Sequence, residues 1–132
     1  MAFTLSTIGS ILIVLATAFH IYVFTLETLS WRKPKTWKIF GISSQEHADI
    51  IARMAFNQGF YNLFLAIGSG AGLITVGFNS EVGLTLLATA TLSMAGAGVV
   101  LFFSAKTSRR AAIIQAGPPL LGMIFLLLGR AL

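Results

Sequence analysis

Long stretches that are almost free of charged residues limit the fold of this sequence more than any other feature. The first runs from Ala2 to Leu29, with Glu27 as its only charged residue. Because a helix needs about 20 apolar residues to cross the hydrocarbon core of a bilayer, this stretch is long enough to span a membrane. Charged types make up 10 % of the 132 residues, whereas a soluble domain carries roughly 25 %. The sequence therefore excludes a soluble globular fold.

Similar stretches farther along the chain predict three more membrane spans. We expect a single all-α domain, a four-span transmembrane helix bundle with spans at about residues 3–29, 51–76, 82–103 and 111–128. Short segments separate the spans, so sequential helices are expected to be antiparallel neighbours. The first stretch is too long for the apolar core of a signal peptide, and we expect it to be a transmembrane helix.

The positions of Lys and Arg predict which loops face the cytoplasm. Five of the nine basic residues lie between the first span and the start of the second, three lie in the loop after the third span, and only Arg130 lies at the opposite end. Since cytoplasmic loops are enriched in Lys and Arg, we expect both loops inside, both termini outside and a location in the cytoplasmic membrane. Apolar stretches separate these basic residues, so we expect no nucleic-acid partner.

The segments that join the spans carry two further patterns. Trp31 to Lys38 combines basic residues with two tryptophans, and we expect it to lie along the membrane surface, where Trp is enriched. Ser43 to Glu46 fits a Ser-x-x-Glu capping box. This pattern predicts that a helix begins there and continues into the second span.

Small residues are concentrated in the second and third predicted spans, at Gly68 to Gly72 and Ala88 to Gly98. In lipid, small residues promote helix association because they let backbones approach closely. We therefore expect the second and third spans to pack along these residues. Two alternatives remain open: room for a ligand against the backbone, and a contact between protomers through Gly68-x-x-x-Gly72.

Polar residues within the spans are the candidates for a functional site, because an unpaired polar group in hydrocarbon costs several kcal/mol. At a rise of about 1.5 Å per residue, all of them lie near or within the cytoplasmic half of the membrane. We expect one inward-facing pocket that opens towards the cytoplasm. Its predicted lining is His20, Glu27, Asn57, Gln58, Tyr61, Asn62 and Gln115.

This pocket suits an amphipathic small molecule or a lipid. His20 and Glu27 share one helical face and are tentative catalytic residues that bind or exchange a proton. The amides and the phenol are candidate ligand-binding groups: Asn57, Gln58, Tyr61, Asn62 and Gln115. The alternative is that these groups only form hydrogen bonds between helices and stabilise the bundle. Whether the protein is an enzyme stays open; proton-transfer chemistry such as isomerisation fits these residues better than hydrolysis, because no activated nucleophile is present.

Two other functions remain open, namely an oligomeric transporter or channel for small solutes and a structural accessory subunit. The sequence contains no cysteine, and His20 has no second histidine nearby, so we predict no metal site and no cofactor. We expect membrane lipids as partners, and the Gly-rich faces are compatible with a homo-oligomer.

One set of residues is distributed over the four predicted spans and the segment that follows the first. It comprises His20, Glu27, Trp31, Asn57-Gln58-Gly59-x-Tyr61-Asn62, Ala95-Gly96-Ala97-Gly98 and Gln115-x-x-Pro118. In these residues the chain resembles the small four-helix membrane proteins of domain-of-unknown-function family 1304. The resemblance covers almost the whole chain, and the Asn-Gln-Gly-x-Tyr-Asn string is its most specific part. It implies four spans in a bacterial-type cytoplasmic membrane, with a shared set of polar residues and no established reaction.

Overall fold

Helices account for all the regular secondary structure in the computed structural model, which describes residues 1–132. A π-helical turn of five residues, Thr25–Leu29, extends the first helix, and a short 3₁₀ turn, Lys106–Ser108, precedes the last. The α-helices in chain order are α1 (Ala2–Phe24), α2 (Pro34–Ile39), α3 (Gln45–Ile50), α4 (Ala52–Thr75), α5 (Ser80–Ser104) and α6 (Arg109–Ala131). The prediction of an all-α chain is confirmed.

Three helical segments are long and apolar enough to cross a membrane: Ala2–Leu29, Ser80–Ser104 and Lys106–Ala131. Helix α4 has 24 residues and lies where the second span was predicted, but it is not among these three. Its N-terminal half contains Asn57, Gln58 and Asn62, which lower its hydropathy. Three of the four predicted spans therefore have the length and composition of membrane-spanning helices, and the fourth is polar in part.

The four long helices pack in a closed ring. Helix α1 contacts α4, α4 contacts α5, α5 contacts α6, and α6 returns to α1. The largest of these interfaces is the one between α1 and α6. A buried hydrophobic cluster lies inside the ring and joins α1, α5 and α6 through Ile13, Leu87, Met123 and Leu126.

Glycines allow the closest helix approaches. A Cβ atom added to Gly72 of α4 would lie 2.8 Å from Leu87 Cγ of α5, so the predicted packing of the second and third spans is present. Gly72 is buried against α5 of the same chain, and the Gly68-x-x-x-Gly72 motif therefore serves packing within the protein. The sequence patterns did not predict the α1–α6 contact, where a Cβ on Gly122 would lie 2.8 Å from Ile13 Cγ1.

Between α1 and α4 the chain folds into a small cap. Trp31 and Trp37 are buried, at 7 % and 4 % exposure, and form a hydrophobic cluster with Ala48 and Ala55. Trp31 Nε1 donates a hydrogen bond to Ala48 O at 2.9 Å. Both indoles lie beneath α3, which returns over them because the chain turns at Gly41 with a φ of 77°.

The capping pattern before α4 is displaced by one residue from the prediction. Ser44, not Ser43, is the N-cap of α3, and its hydroxyl accepts a hydrogen bond from His47 N at 3.2 Å. The backbone of Ser44 is extended, as an N-cap requires. Helix α3 ends at Ile50, so the helix predicted to continue into the second span is interrupted at Ile51.

Candidate functional site

Two of the seven predicted site residues, Glu27 and Asn62, are in direct contact. Asn62 Nδ2 donates to Glu27 Oε2 at 2.9 Å and also lies 3.0 Å from the carbonyl oxygen of Gln58. Both side chains are half-buried between the end of α1 and the middle of α4. Because removing a carboxyl group from water is costly without hydrogen-bond donors, Asn62 stabilises the position of Glu27.

The π-helical turn sets the position of Glu27. A π turn widens the helix locally, and such turns are frequent at functional sites. In the same turn, the hydroxyl of Thr28 donates to Phe56 O at 3.4 Å and occupies the place that a Cβ atom on Gly59 would take. Gly59 therefore lets the turn lie directly against α4, beside the Glu27–Asn62 pair. Sequence reasoning missed this role, although Gly59 stands within the string of polar residues that it singled out.

His20 lies apart from this pair. Its side chain is 0 % exposed, and its Nδ1 atom lies 2.9 Å from Ala16 O. A carbonyl oxygen only accepts, so Nδ1 carries the hydrogen of this bond. The Nε2 atom is buried and has no hydrogen-bond partner. His20 and Glu27 are seven positions apart, which separates them by about 10 Å along the helix axis, and no hydrogen bond joins them.

The other predicted site residues on α4 face outward. Asn57, Gln58 and Tyr61 are exposed, and Asn57 and Tyr61 line a shallow groove on the outer surface together with Phe60 and Phe64. Gln115 on α6 is half-buried and makes no side-chain hydrogen bond.

The structure thus does not gather the seven predicted residues into one inward-facing pocket. The reason lies in helix geometry. A separation of five residues places Asn57 about 140° around the helix from Asn62. Only Asn62 of these two amides can then face the bundle, while Asn57 faces away from it.

A larger cavity of about 440 Å³ lies at the end of the bundle, between the π turn, the segment that follows it and the first turns of α4. Glu27 is the only predicted site residue in its lining. The basic residues that sequence reasoning interpreted as topology signals line it as well, next to two aromatic rings. Its lining is Glu27, Thr28, Leu29, Ser30, Trp31, Arg32, Lys33, Ala52, Arg53 and Phe56.

This cavity can accommodate a molecule that is both charged and apolar. The guanidinium groups of Arg32 and Arg53 and the ammonium of Lys33 offer donors to phosphate or carboxylate oxygens. Phe56 and Leu29 form an apolar part of the cavity wall. The signal for this site was present in the sequence, since Arg53 stands alone inside a largely apolar segment. The structure contains no group of three or more His, Cys, Asp or Glu side chains that could hold a metal ion.

Together, the strand-free fold and the three long apolar helices define an all-helical protein of the membrane type. The chain belongs to the family described as "Protein of unknown function (DUF1304)", whose family model matches residues 14–127. The resemblance noted in the sequence is confirmed, and the match includes every predicted site residue and the whole lining of the cavity. No curated protein and no solved structure matches the chain.

Proposed function

We propose that this protein is a four-span protein of the cytoplasmic membrane that binds a lipid or another amphiphile with an anionic headgroup in the cavity beside Glu27. The observation that carries the proposal is the lining of that cavity. Three basic side chains meet an apolar wall there, at the end of the bundle where a membrane-spanning protein meets lipid headgroups.

Contacts between α1 and α4 support the fourth span. Glu27 contacts Asn62 near one end of α1, and Thr17 Oγ1 lies 2.7 Å from Ser69 Oγ ten residues farther back along α1. Helix α4 therefore runs antiparallel to α1 along much of its length. If α1 crosses the bilayer, α4 crosses it too, and the amide that faces the bundle is shielded from lipid.

The distribution of charge supports the orientation. The cap holds Arg32 and Lys33, and the 3₁₀ turn before α6 begins with Lys106, so the two basic segments lie at the same end of the ring. Arg130 lies at the other end, where it donates a hydrogen bond to the hydroxyl of Ser80. Since basic segments remain in the cytoplasm, the cavity opens on the cytoplasmic side and both termini lie outside.

Glu27 adds an acidic group to the cavity, so a ligand there also needs a hydrogen-bond donor. Its carboxyl group is in the lining together with the basic side chains, while one of its oxygens accepts from Asn62. A headgroup that carries a phosphate and also an ammonium or hydroxyl donor satisfies both kinds of group. Proton transfer between His20 and Glu27 is not part of this proposal, because the two side chains are separated along the helix.

The test is binding of fluorescent lipids to the purified protein in a non-ionic detergent. We expect labelled phosphatidylglycerol or phosphatidylethanolamine to bind more tightly than labelled diacylglycerol, which has the same tails and no phosphate. Arg53→Gln should weaken phospholipid binding by roughly tenfold or more, since it removes a charge-assisted contact.

Arg110→Gln is the matched control, because Arg110 is an exposed basic residue on the same side of the bundle and outside the cavity. Equal affinities for the phospholipids and diacylglycerol would contradict the proposal. So would the same loss of affinity in the Arg53 and Arg110 variants.

A further inference from the structure

The outward face of α4 is a second polar surface, separate from the cavity. Asn57 and Tyr61 lie one helical turn apart and line a groove of about 270 Å³ with Phe60 and Phe64. Neither Asn57 nor Tyr61 makes a hydrogen bond within the chain, and Tyr61 is 64 % exposed. This face has no neighbour in the ring of helices, because α4 packs on α1 and α5 with its other sides.

In the four-span arrangement this surface lies at the depth of the acyl chains. Asn57 and Tyr61 lie about 8 and 14 Å beyond the start of α4 along its axis. A carboxamide and a phenol without partners are costly there, because hydrocarbon offers neither donors nor acceptors. A phospholipid carries its polar groups at the headgroup level, so lipid alone does not supply partners along the whole groove.

We propose that this face binds the same face of a second copy of the chain, forming a symmetric dimer through α4. A carboxamide donates and accepts at once, so Asn57 can pair with the partner's Asn57 or the partner's Tyr61. Such self-complementarity is what a two-fold interface requires, since each patch meets itself. Amides and small polar groups are known to link transmembrane helices, and Phe60 and Phe64 add aromatic surface beside them.

The absence of an ionic group at the centre of the groove favours a second copy over a charged partner. The first two turns of α4 carry one charged residue, Arg53, which lies at the N-terminal end of the helix and in the lining of the cavity. The dimer needs α4 to lie in the membrane, but it does not need a ligand in the cavity. Its failure and the failure of lipid binding are therefore separate results.

The experiment measures association of the full chain in phosphatidylcholine vesicles. Copies labelled with a donor or an acceptor dye are mixed, and energy transfer is followed as the lipid-to-protein ratio rises. We expect transfer to persist well above the level for randomly distributed monomers. Asn57→Leu should weaken association by roughly tenfold, because it removes an amide from each protomer.

Ser93→Leu is the matched control. Ser93 is exposed on α5, and its hydroxyl already donates to Thr89 O at 2.7 Å in its own helix, so its loss leaves no partner unpaired. Wild-type protein at the random level of transfer overturns the dimer, as does an Asn57→Leu variant that associates like wild type. If the wild-type protein is monomeric and the Asn57→Leu substitution releases bound lipid, the groove binds lipid and the dimer is overturned.

A second measurement avoids dependence on the folding of the Asn57 variant. The chain has no native cysteine, so single cysteines report proximity directly. Phe64→Cys in the groove should form a disulfide-linked dimer on oxidation in vesicles, whereas Val100→Cys, on the outward face of α5 and 67 % exposed, should not. Equal cross-linking at the two positions would contradict the α4 interface.

Discussion

Asn62 Nδ2 lies 2.9 Å from Glu27 Oε2, and this hydrogen bond joins the π-helical end of α1 to the middle of α4. No other hydrogen bond between a carboxylate and an amide side chain joins two helices of the bundle. The Glu27 side of this bond lies in the lining of the 440 Å³ cavity, next to its basic residues. It therefore links the stability of the bundle to the shape of the site.

Removal of the Asn62 amide should destabilise the protein more than removal of an exposed amide of the same helix. Asn62→Leu leaves the half-buried Glu27 carboxyl group without its donor, which costs about 1–3 kcal/mol. Gln58→Leu is the control, because Gln58 is exposed and its side chain makes no hydrogen bond within the chain. Thermal unfolding in detergent, followed by circular dichroism, measures both; equal unfolding temperatures would contradict a structural role for the Glu27–Asn62 pair.

Gly59→Ala should destabilise the junction of the π turn and α4, because the added methyl group overlaps the Thr28 hydroxyl. Overpacking of this kind typically costs about 1–3 kcal/mol. Thr28→Ala removes that hydroxyl, so the double variant should be more stable than the sum of the two single effects predicts. Free energies of unfolding for the four proteins of this cycle provide the measurement, and strict additivity would show that the two residues do not meet.

The two tryptophans of the cap should respond differently to the loss of their indole nitrogen. Trp31→Phe breaks the hydrogen bond to Ala48 O and should cost about 0.5–1.5 kcal/mol beyond its change in packing. Trp37 Nε1 is buried without a partner, so Trp37→Phe removes an unsatisfied donor and should be the milder substitution. Denaturant unfolding of both variants compares them; a greater loss for Trp37→Phe would be contrary to this account of the cap.

Single cysteines in two loops should test the orientation of the four spans. Phe78→Cys between α4 and α5 should react with a membrane-impermeant maleimide on intact cells, whereas Thr107→Cys before α6 should react only after permeabilisation. Both positions are exposed, so burial does not affect the comparison. The opposite pattern would invert the orientation, and labelling of both cysteines from one side would argue against the proposed crossing of α5, which separates the two positions.

The positions of the long helices could be predicted closely from the sequence. The predicted spans 3–29 and 51–76 correspond to Ala2–Leu29 and Ala52–Thr75, because long apolar stretches and their polar boundaries are local properties. The contact of Gly72 with α5 was also predictable, since small residues mark close helix approach.

The candidate site was less predictable, because it depends on which way each side chain points. The depth of Asn57 in its helix follows from residue counting, but its outward direction depends on how α4 packs. The π turn around Glu27 has no local signal that the apolar pattern reveals. Burial of Trp31 requires α3 to return over it, which is a tertiary contact with Ala48. The cavity beside Arg53 also depends on tertiary packing, so the sequence showed only the charge of Arg53 and not its place in a cavity.

The ring of helices closes through the contact of α1 with α6, where Gly122 meets Ile13. During synthesis α1 emerges first and α6 last, so the largest interface of α1 forms only when the whole chain has been made. Until α6 arrives, the side of α1 around Gly9 and Ile13 stays open to lipid or to other newly made helices. A chain truncated ahead of Arg109 would leave this side of α1 permanently without its helix partner, so the bundle cannot close in a fragment that lacks α6.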